Sequence, residues 1–270
     1  MATIIAIANQ KGGGGKTTTA VNLAACLAAL RQNVLLVDLD PQGNATMGWG
    51  VDKHAVTATS YDVLLGEATL TEALRWIEKA QMQLLPANGD LTAAEVNLLK
   101  PDNAPNRLRD ALAPVAWNFD VILIDCPPSL NMLTVNALTA AQSIIVPVQC
   151  EYYALEGISM MNRVLMQLRD AGVNPRLEIF GVVMTMFDAR TKLSNEVVSE
   201  VRNLLGERVF ETMIPRSTKL AEAPSFGKPI IHYDKYSAGA AAYEVLAQEV
   251  LKRLNAKSDG SVNIPATAPR

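Results

Sequence analysis

The chain has 270 residues, 49% of them apolar and 19% charged, which is enough to bury a sizeable core and excludes wholesale disorder. Its 24 basic and 27 acidic side chains leave a net charge of −3, so a chain-wide cationic field is excluded and any nucleic-acid contact must come from a local patch. Cys26, Cys126 and Cys150 are far apart, odd in number and without a Cys-x-x-Cys pair, which excludes a disulfide scaffold and points to a reducing compartment.

The first segment, Thr3 to Ala8, is apolar, lacks a basic leader and runs straight into Asn9-Gln10-Lys11. It reads as a strand, not a signal peptide. A glycine-rich loop follows and opens a helix over Lys16 to Leu30. Further strands are expected over Asn33 to Val37, Gln83 to Leu85, Val121 to Ile124, Ser143 to Val148 and Ile179 to Met184. Their unbroken Ile/Val/Leu character implies burial on both faces. Helices are expected over Asn106 to Leu112, Leu130 to Ala141, Ala154 to Ala171, Ser194 to Gly206 and Ala238 to Asn255. Strand–helix alternation of this kind predicts an α/β fold with a doubly wound, mostly parallel sheet flanked by helices. One domain over 1–255 is expected, followed by a disordered polar tail over 256–270. No apolar run reaches about 18 residues, so no membrane-spanning helix is predicted.

The loop reads Lys11-Gly12-Gly13-Gly14-Gly15-Lys16-Thr17-Thr18. Glycines let backbone N–H groups turn inward and approach a polyphosphate, and the helix that follows points its positive end at the same place. Lys16 is suited to the β- and γ-phosphates of a nucleotide and the Thr17 hydroxyl to Mg²⁺, with N–H groups from Gly13 to Thr18 completing the cradle. Strand, loop, Gly-Lys-Thr and helix occur in the required order, although Gln10 stands where the common G-x-x-x-x-G-K-[ST] pattern begins with glycine.

Two strands end on carboxylates. Val37-Asp38-Leu39-Asp40-Pro41-Gln42-Gly43-Asn44 places Asp38 and Asp40 on one side of a strand end, where a carboxylate can orient a water or bind a metal through one. The alternative for Asp38 is a hydrogen-bonded turn residue. Val121 to Ile124 closes on Asp125, the arrangement that holds Mg²⁺ in nucleotide-binding folds. Cys126 reads as a small buried neighbour of that site before a reactive thiol.

These motifs together resemble the ParA/MinD family of P-loop ATPases. Lys11 ahead of the glycines matches the deviant Walker A signature K-G-G-x-G-K-T; Asp38 to Asn44 matches switch I, and Asp125-Cys126-Pro127-Pro128-Ser129 matches switch II. Pro147 to Gly157, Asp188 to Thr191, Ile214-Pro215-Arg216 and Glu222 to Ser225 are similar to chromosomal ParA (Soj-type) proteins, so the resemblance covers roughly residues 1 to 255. One departure is Gly14, where the signature usually carries a small aliphatic residue; glycine adds loop entropy of about 0.5–1 kcal/mol relative to alanine.

The resemblance implies ATP and Mg²⁺ as ligands, with slow basal hydrolysis raised by a partner and by DNA. It implies an ATP-dependent sandwich homodimer in which Lys11 reaches the partner's nucleotide, Asp40 supports hydrolysis, and Asp125, Thr17 and Asp40 serve the metal. Pro215 and Arg216 would lie beside the adenine, and Arg190, Arg216 and Lys219 would contact DNA phosphates without sequence preference. A ParB-type protein is the implied partner, chromosome or plasmid segregation the implied task, and the cytoplasm with ATP-dependent nucleoid association the implied location. The rivals are a MinD-like membrane-cycling ATPase, an iron protein and an ATP-dependent ligase. The first needs a lipid-facing terminal helix, yet Tyr243, Leu246, Val250 and Leu254 read as a core stripe, so no stable membrane association is expected. The second needs cluster cysteines in glycine-rich settings, which Cys126 and Cys150 lack.

Overall fold

In a computed structural model, residues 2–98 and 104–258 are described. Their strands are β1 (Thr3–Ile7), β2 (Val34–Asp38), β3 (Arg75–Ile77), β4 (Met82–Leu85), β5 (Val121–Asp125), β6 (Ser143–Gln149), β7 (Glu178–Phe187) and β8 (Val209–Pro215). They form one sheet in the order β3-β4-β2-β5-β1-β6-β7-β8, parallel throughout except for the β3–β4 pair. The helices are α1 (Lys16–Ala29), α2 (Asn44–Gly48), α3 (Ser60–Leu65), α4 (Leu70–Ala73), α5 (Leu91–Asn97), α6 (Arg107–Leu112), α7 (Met132–Ala140), α8 (Ala154–Asp170), α9 (Lys192–Leu205), α10 (Thr218–Glu222), α11 (Ile230–Tyr233) and α12 (Ala238–Ser258).

The central strands are apolar on both sides because both sides are covered. β2 and β5 are buried at every position. Successive strand residues point to opposite faces. Leu35, Val37, Ile122 and Ile124 therefore join one core layer with Leu133 and Leu138 of α7 and Ile158 and Leu165 of α8. Val34, Leu36, Val121 and Leu123 join the opposite layer with Leu23 and Leu27 of α1 and Tyr243 and Leu246 of α12. The expected core stripe on α12 is thus in place: Tyr243, Leu246 and Val250 are buried and Leu254 packs against them.

The winding positions the loops that matter. β1 lies between β5 and β6, with β2 beyond β5 and β7 and β8 beyond β6. The chain thus reverses its winding direction around β1, and the crevice at that point is the usual ligand position in open α/β sheets. Parallel strands deliver their carboxyl ends to one edge, so the glycine loop, Asp40, Asp125, Glu151, Asp188 and Arg216 all emerge there.

Several elements differ from the sequence reading. β3 and β8 are additional strands, and β3 runs antiparallel at the edge of the sheet. α2 to α5, α10 and α11 are short helices that carry too few turns to show a period. Instead, α3 and α4 are nucleated by capping boxes, Thr59 with Asp62 and Thr69 with Glu72. α12 continues to Ser258, past the expected Asn255, and Lys257 pairs with Glu178 at the start of β7. The remainder of the expected tail, 259–270, lies outside the described residues. At the far edge, pairing between β7 and β8 slips, and the consecutive N–H groups of Glu211 and Thr212 donate to Glu249 of α12 at 2.9 and 3.1 Å.

Candidate functional site at the phosphate loop

The loop between β1 and α1 is shaped by two left-handed glycines, Gly13 at φ +74° and Gly15 at φ +88°. Only glycine takes such backbone without strain. Gly14 is not left-handed, and a Cβ there would meet Pro147 O at 3.5 Å, an ordinary contact. Around Gly12 and Gly13 a Cβ would meet nothing within 4 Å, so this side of the loop is open.

The loop is tied down from β6 and β7. Asn9 donates through Nδ2 to Pro147 O at 2.7 Å and accepts from the Lys11 N–H at 3.1 Å. Thr185 Oγ1, from β7, donates to Gly14 O at 3.0 Å. Lys16, though buried, donates through Nζ to Lys11 O at 3.0 Å. Burial pulls the Lys16 amine down, and the nearby Asp125, Cys126 and Asp40 oppose that pull. Lys11 is held within its own subunit: its Nζ lies 2.8 Å from Glu151 Oε2, just before α8.

Asp125 is the most unusual group of the site. Both carboxylate oxygens are buried and accept no well-formed hydrogen bond. Burial, reinforced by the Asp38 carboxylate, pushes it well above the usual carboxylate range, with the Thr17 hydroxyl pulling weakly the other way. An unsatisfied buried carboxylate beside a lysine and a threonine hydroxyl suits a divalent cation. Among the described residues no three His, Cys, Asp or Glu side chains are grouped to hold a metal alone. The donor set therefore fits Mg²⁺ that takes most of its ligands from phosphate and water, as this ion commonly does.

Asp38 and Asp40 divide into two roles. Asp38 Oδ2 accepts from the N–H and hydroxyl of Thr46 at 2.8 and 2.7 Å, and Oδ1 accepts from the Asp40 N–H at 3.1 Å. It is the turn residue of the two readings and anchors α2. Asp40 is also buried; its Oδ1 accepts from the Gln42 N–H at 2.9 Å, which turns the chain after β2. Burial pushes the Cys126 thiol upward, away from thiolate, as expected of a packing residue.

The remaining candidates lie farther along the same edge. Pro215 ends β8 opposite Phe187, and the Arg216 N–H donates to Phe187 O at 3.0 Å. Arg190 grips Asp188 with two hydrogen bonds, Nε to Oδ1 at 2.9 Å and Nη2 to Oδ2 at 2.7 Å. This grip holds Asp188 down at about 2, with the Arg216 charge contributing. Arg190 pairs directly with this carboxylate, and the Arg216 charge acts on it from farther away. Lys219 belongs to a separate group: its Nζ lies 3.2 Å from Glu222 and 5.7 Å from the Tyr233 ring centre. Asn9, Thr185 and Glu151 are site residues that the motif reading missed as supports, because their partners are more than a hundred residues away. A groove of about 540 Å³ between β8 and α12 lies away from all of them.

Comparison with known proteins identifies the relatives of this site. A family model described as AAA domain matches residues 2–179. The chromosome partitioning protein ParA of Myxococcus xanthus is 51% identical over 255 residues, covering 94% of this chain and 90% of that protein. The sporulation initiation inhibitor protein Soj of Bacillus subtilis is 50% identical over 250 residues, covering 93% and 98%. Among solved structures, cobyrinic acid a,c-diamide synthase from Mycobacterium smegmatis with bound ADP and magnesium superposes with a TM-score of 0.84 at 37% identity, covering both chains fully. The chain belongs to the ParA/Soj family of chromosome-partitioning ATPases.

Proposed function

We propose that the protein is an ATP-driven switch that binds DNA as a dimer and drives chromosome or plasmid segregation. The observation that carries this reading is the juxtaposition of Lys16 and the unsatisfied Asp125 behind an open glycine loop that bears a second lysine, Lys11. The loop N–H groups from Gly13 to Thr18 and the Lys16 amine hold the phosphates of ATP. Thr17 and Asp125, with Asp40 acting through water, hold Mg²⁺. The ion supplies neutralisation of phosphate charge when bound. Asp40 orients the attacking water. Lys11 leaves Glu151 to reach the nucleotide of a second copy, which couples dimerisation to ATP. Pro215 and Arg216 lie beside the adenine, and Arg190, Arg216 and Lys219 meet DNA phosphates. A ParB-type partner raises a slow basal hydrolysis and returns the protein from the nucleoid to the cytoplasm.

The test is binding to an arbitrary duplex DNA with ATP and with ADP across a salt series. Binding only with ATP, weakening steeply with salt, supports the reading, and the slope counts the phosphates neutralised. ATP binding without DNA binding would overturn it. The rival drawn from the diamide synthase relative is amide formation, which stoichiometric release of an amidated small molecule would support. The membrane-cycling rival lacks a lipid-facing stripe on α12, whose Tyr243, Leu246 and Val250 lie in the core.

A further inference from the structure

The segment from Pro224 to Tyr233 is gripped from two sides by the two elements that surround the phosphate site. On one side is α1, which grows directly out of the phosphate loop. Asn22, buried in this helix, donates through Nδ2 to Thr18 O at 2.7 Å and accepts through Oδ1 from the Ile230 N–H at 2.6 Å. One side chain thus bridges a residue of the phosphate cradle and the first residue of α11. On the other side is α2, which follows Asp40. Here two left-handed glycines, Gly50 and Gly227, meet backbone to backbone so closely that a Cβ on Gly227 would stand 2.5 Å from Gly50 Cα. Beside them Trp49 meets the His232 ring edge-on at 6.1 Å.

The outer face of this segment is charged and aromatic: Phe226 is exposed and stacks on Tyr233, whose ring receives Lys219. A short stretch of chain therefore has its inner face fixed to α1, the helix that opens at the phosphate loop, and to the turn that ends α2, and its outer face in solvent beside Lys219. Packed contacts of this kind transmit discrete shifts, because neither the glycine pair nor a bridging buried amide can yield gradually.

We propose that Asn22 is a positioning residue that couples the nucleotide state of the phosphate loop to the placement of residues 224–233, and through them to the surface around Lys219. The inference rests on the ATP-binding reading above. ATP draws the Thr18 backbone toward phosphate, Asn22 carries that movement to Ile230, and the Gly50–Gly227 contact lets α2, the helix that follows switch I, act on the same segment.

Hydrogen–deuterium exchange with and without ATP and Mg²⁺ tests this on the full chain. ATP should slow exchange both in the phosphate loop and over 224–233, the latter by about fivefold, the weight of one net buried hydrogen bond. Asn22→Asp keeps the acceptor toward Ile230 and removes the donor toward Thr18. In that variant the loop should still respond to ATP while the response of 224–233 falls below about twofold. Asn22→Ser, whose hydroxyl can still reach Thr18 O but not Ile230, cuts the bridge at its other end and replaces the aspartate variant if that one does not fold. A wild-type loop that responds while 224–233 does not would overturn the coupling. So would a variant whose segment responds as fully as the wild type, or one whose exchange rises equally with and without ATP. If ATP protects neither region in the wild type, the nucleotide reading itself fails.

Discussion

Asp38 and Asp125 stand directly opposite one another in the parallel ladder between β2 and β5, and both are fully buried. Two carboxylates at one level of a dry sheet resist joint ionisation. Burial, softened by the Thr46 donors, pushes Asp38 up to about 6, and Asp125 is raised well above its ordinary value. An acid whose folded pKa is raised keeps a proton that the unfolded chain has already released, so stability falls as pH rises through that window. The nucleotide-free protein should therefore lose thermal stability between about pH 4 and pH 7, at up to about 1.4 kcal/mol per pH unit for each group. Asp125→Asn should flatten the decline. Carboxylates held low, such as Asp188, act in the opposite sense and only at lower pH. A melting temperature that climbs from pH 4 to pH 7 would contradict the pairing.

Lys16 and Asp40 separate binding from turnover. Lys16→Gln removes the buried amine at the cradle and should weaken ATP binding about 100-fold or more, measured by calorimetry. Asp40→Ala should bind ATP and remain on DNA while hydrolysis falls about 100-fold or more. Rapid steady-state turnover by the Asp40 variant would remove it from the chemistry.

The glycines of the loop are not equivalent. Gly14 has neither a left-handed backbone nor a clash at Cβ, so Gly14→Ala should be tolerated and should stabilise the protein by about 0.4–1 kcal/mol through the unfolded state. Gly15 sits at φ +88°, and Gly15→Ala should destabilise by about 1–2 kcal/mol. Denaturant unfolding of both variants measures the difference. Equal costs would mean that the conformational distinction between the two positions is absent in solution.

What was legible in the sequence was the part written locally. The phosphate loop, the two acid-terminated strands and the buried parallel sheet follow from residue order and apolar runs. β3 escaped because three residues, Arg75-Trp76-Ile77, include a charge and an exposed indole. β8 escaped because Glu211 and Thr212 interrupt its apolar run, and the structure spends those two on Glu249. The capping boxes at Thr59 and Thr69 were readable by spacing yet too short to stand out. That Arg190 and Arg216 come to the same end of the sheet depends on β7 and β8 being neighbours, which no spacing within either motif encodes.

Arg190 gives the proposed DNA contact its most direct test. Its side chain is 88% exposed and lies against Asp188, so the ion pair contributes little to folding and the guanidinium is available to a phosphate. Arg190→Glu should leave the melting temperature within a degree or two, consistent with an exposed site, while DNA binding in the ATP state is lost. Arg190→Ala should reduce the salt slope by about one. Unchanged DNA affinity in both variants would exclude Arg190 from the contact surface.

Glu249 has a consequence at the opposite end of the sheet. An outer strand with free N–H groups is a template on which another copy can zip. In β8 the slipped pairing turns two successive donors onto one carboxylate, which Arg253 in turn holds at 2.8 Å. The irregular strand and its fixed acid leave this margin a poorer template for a further strand than a regular edge would be.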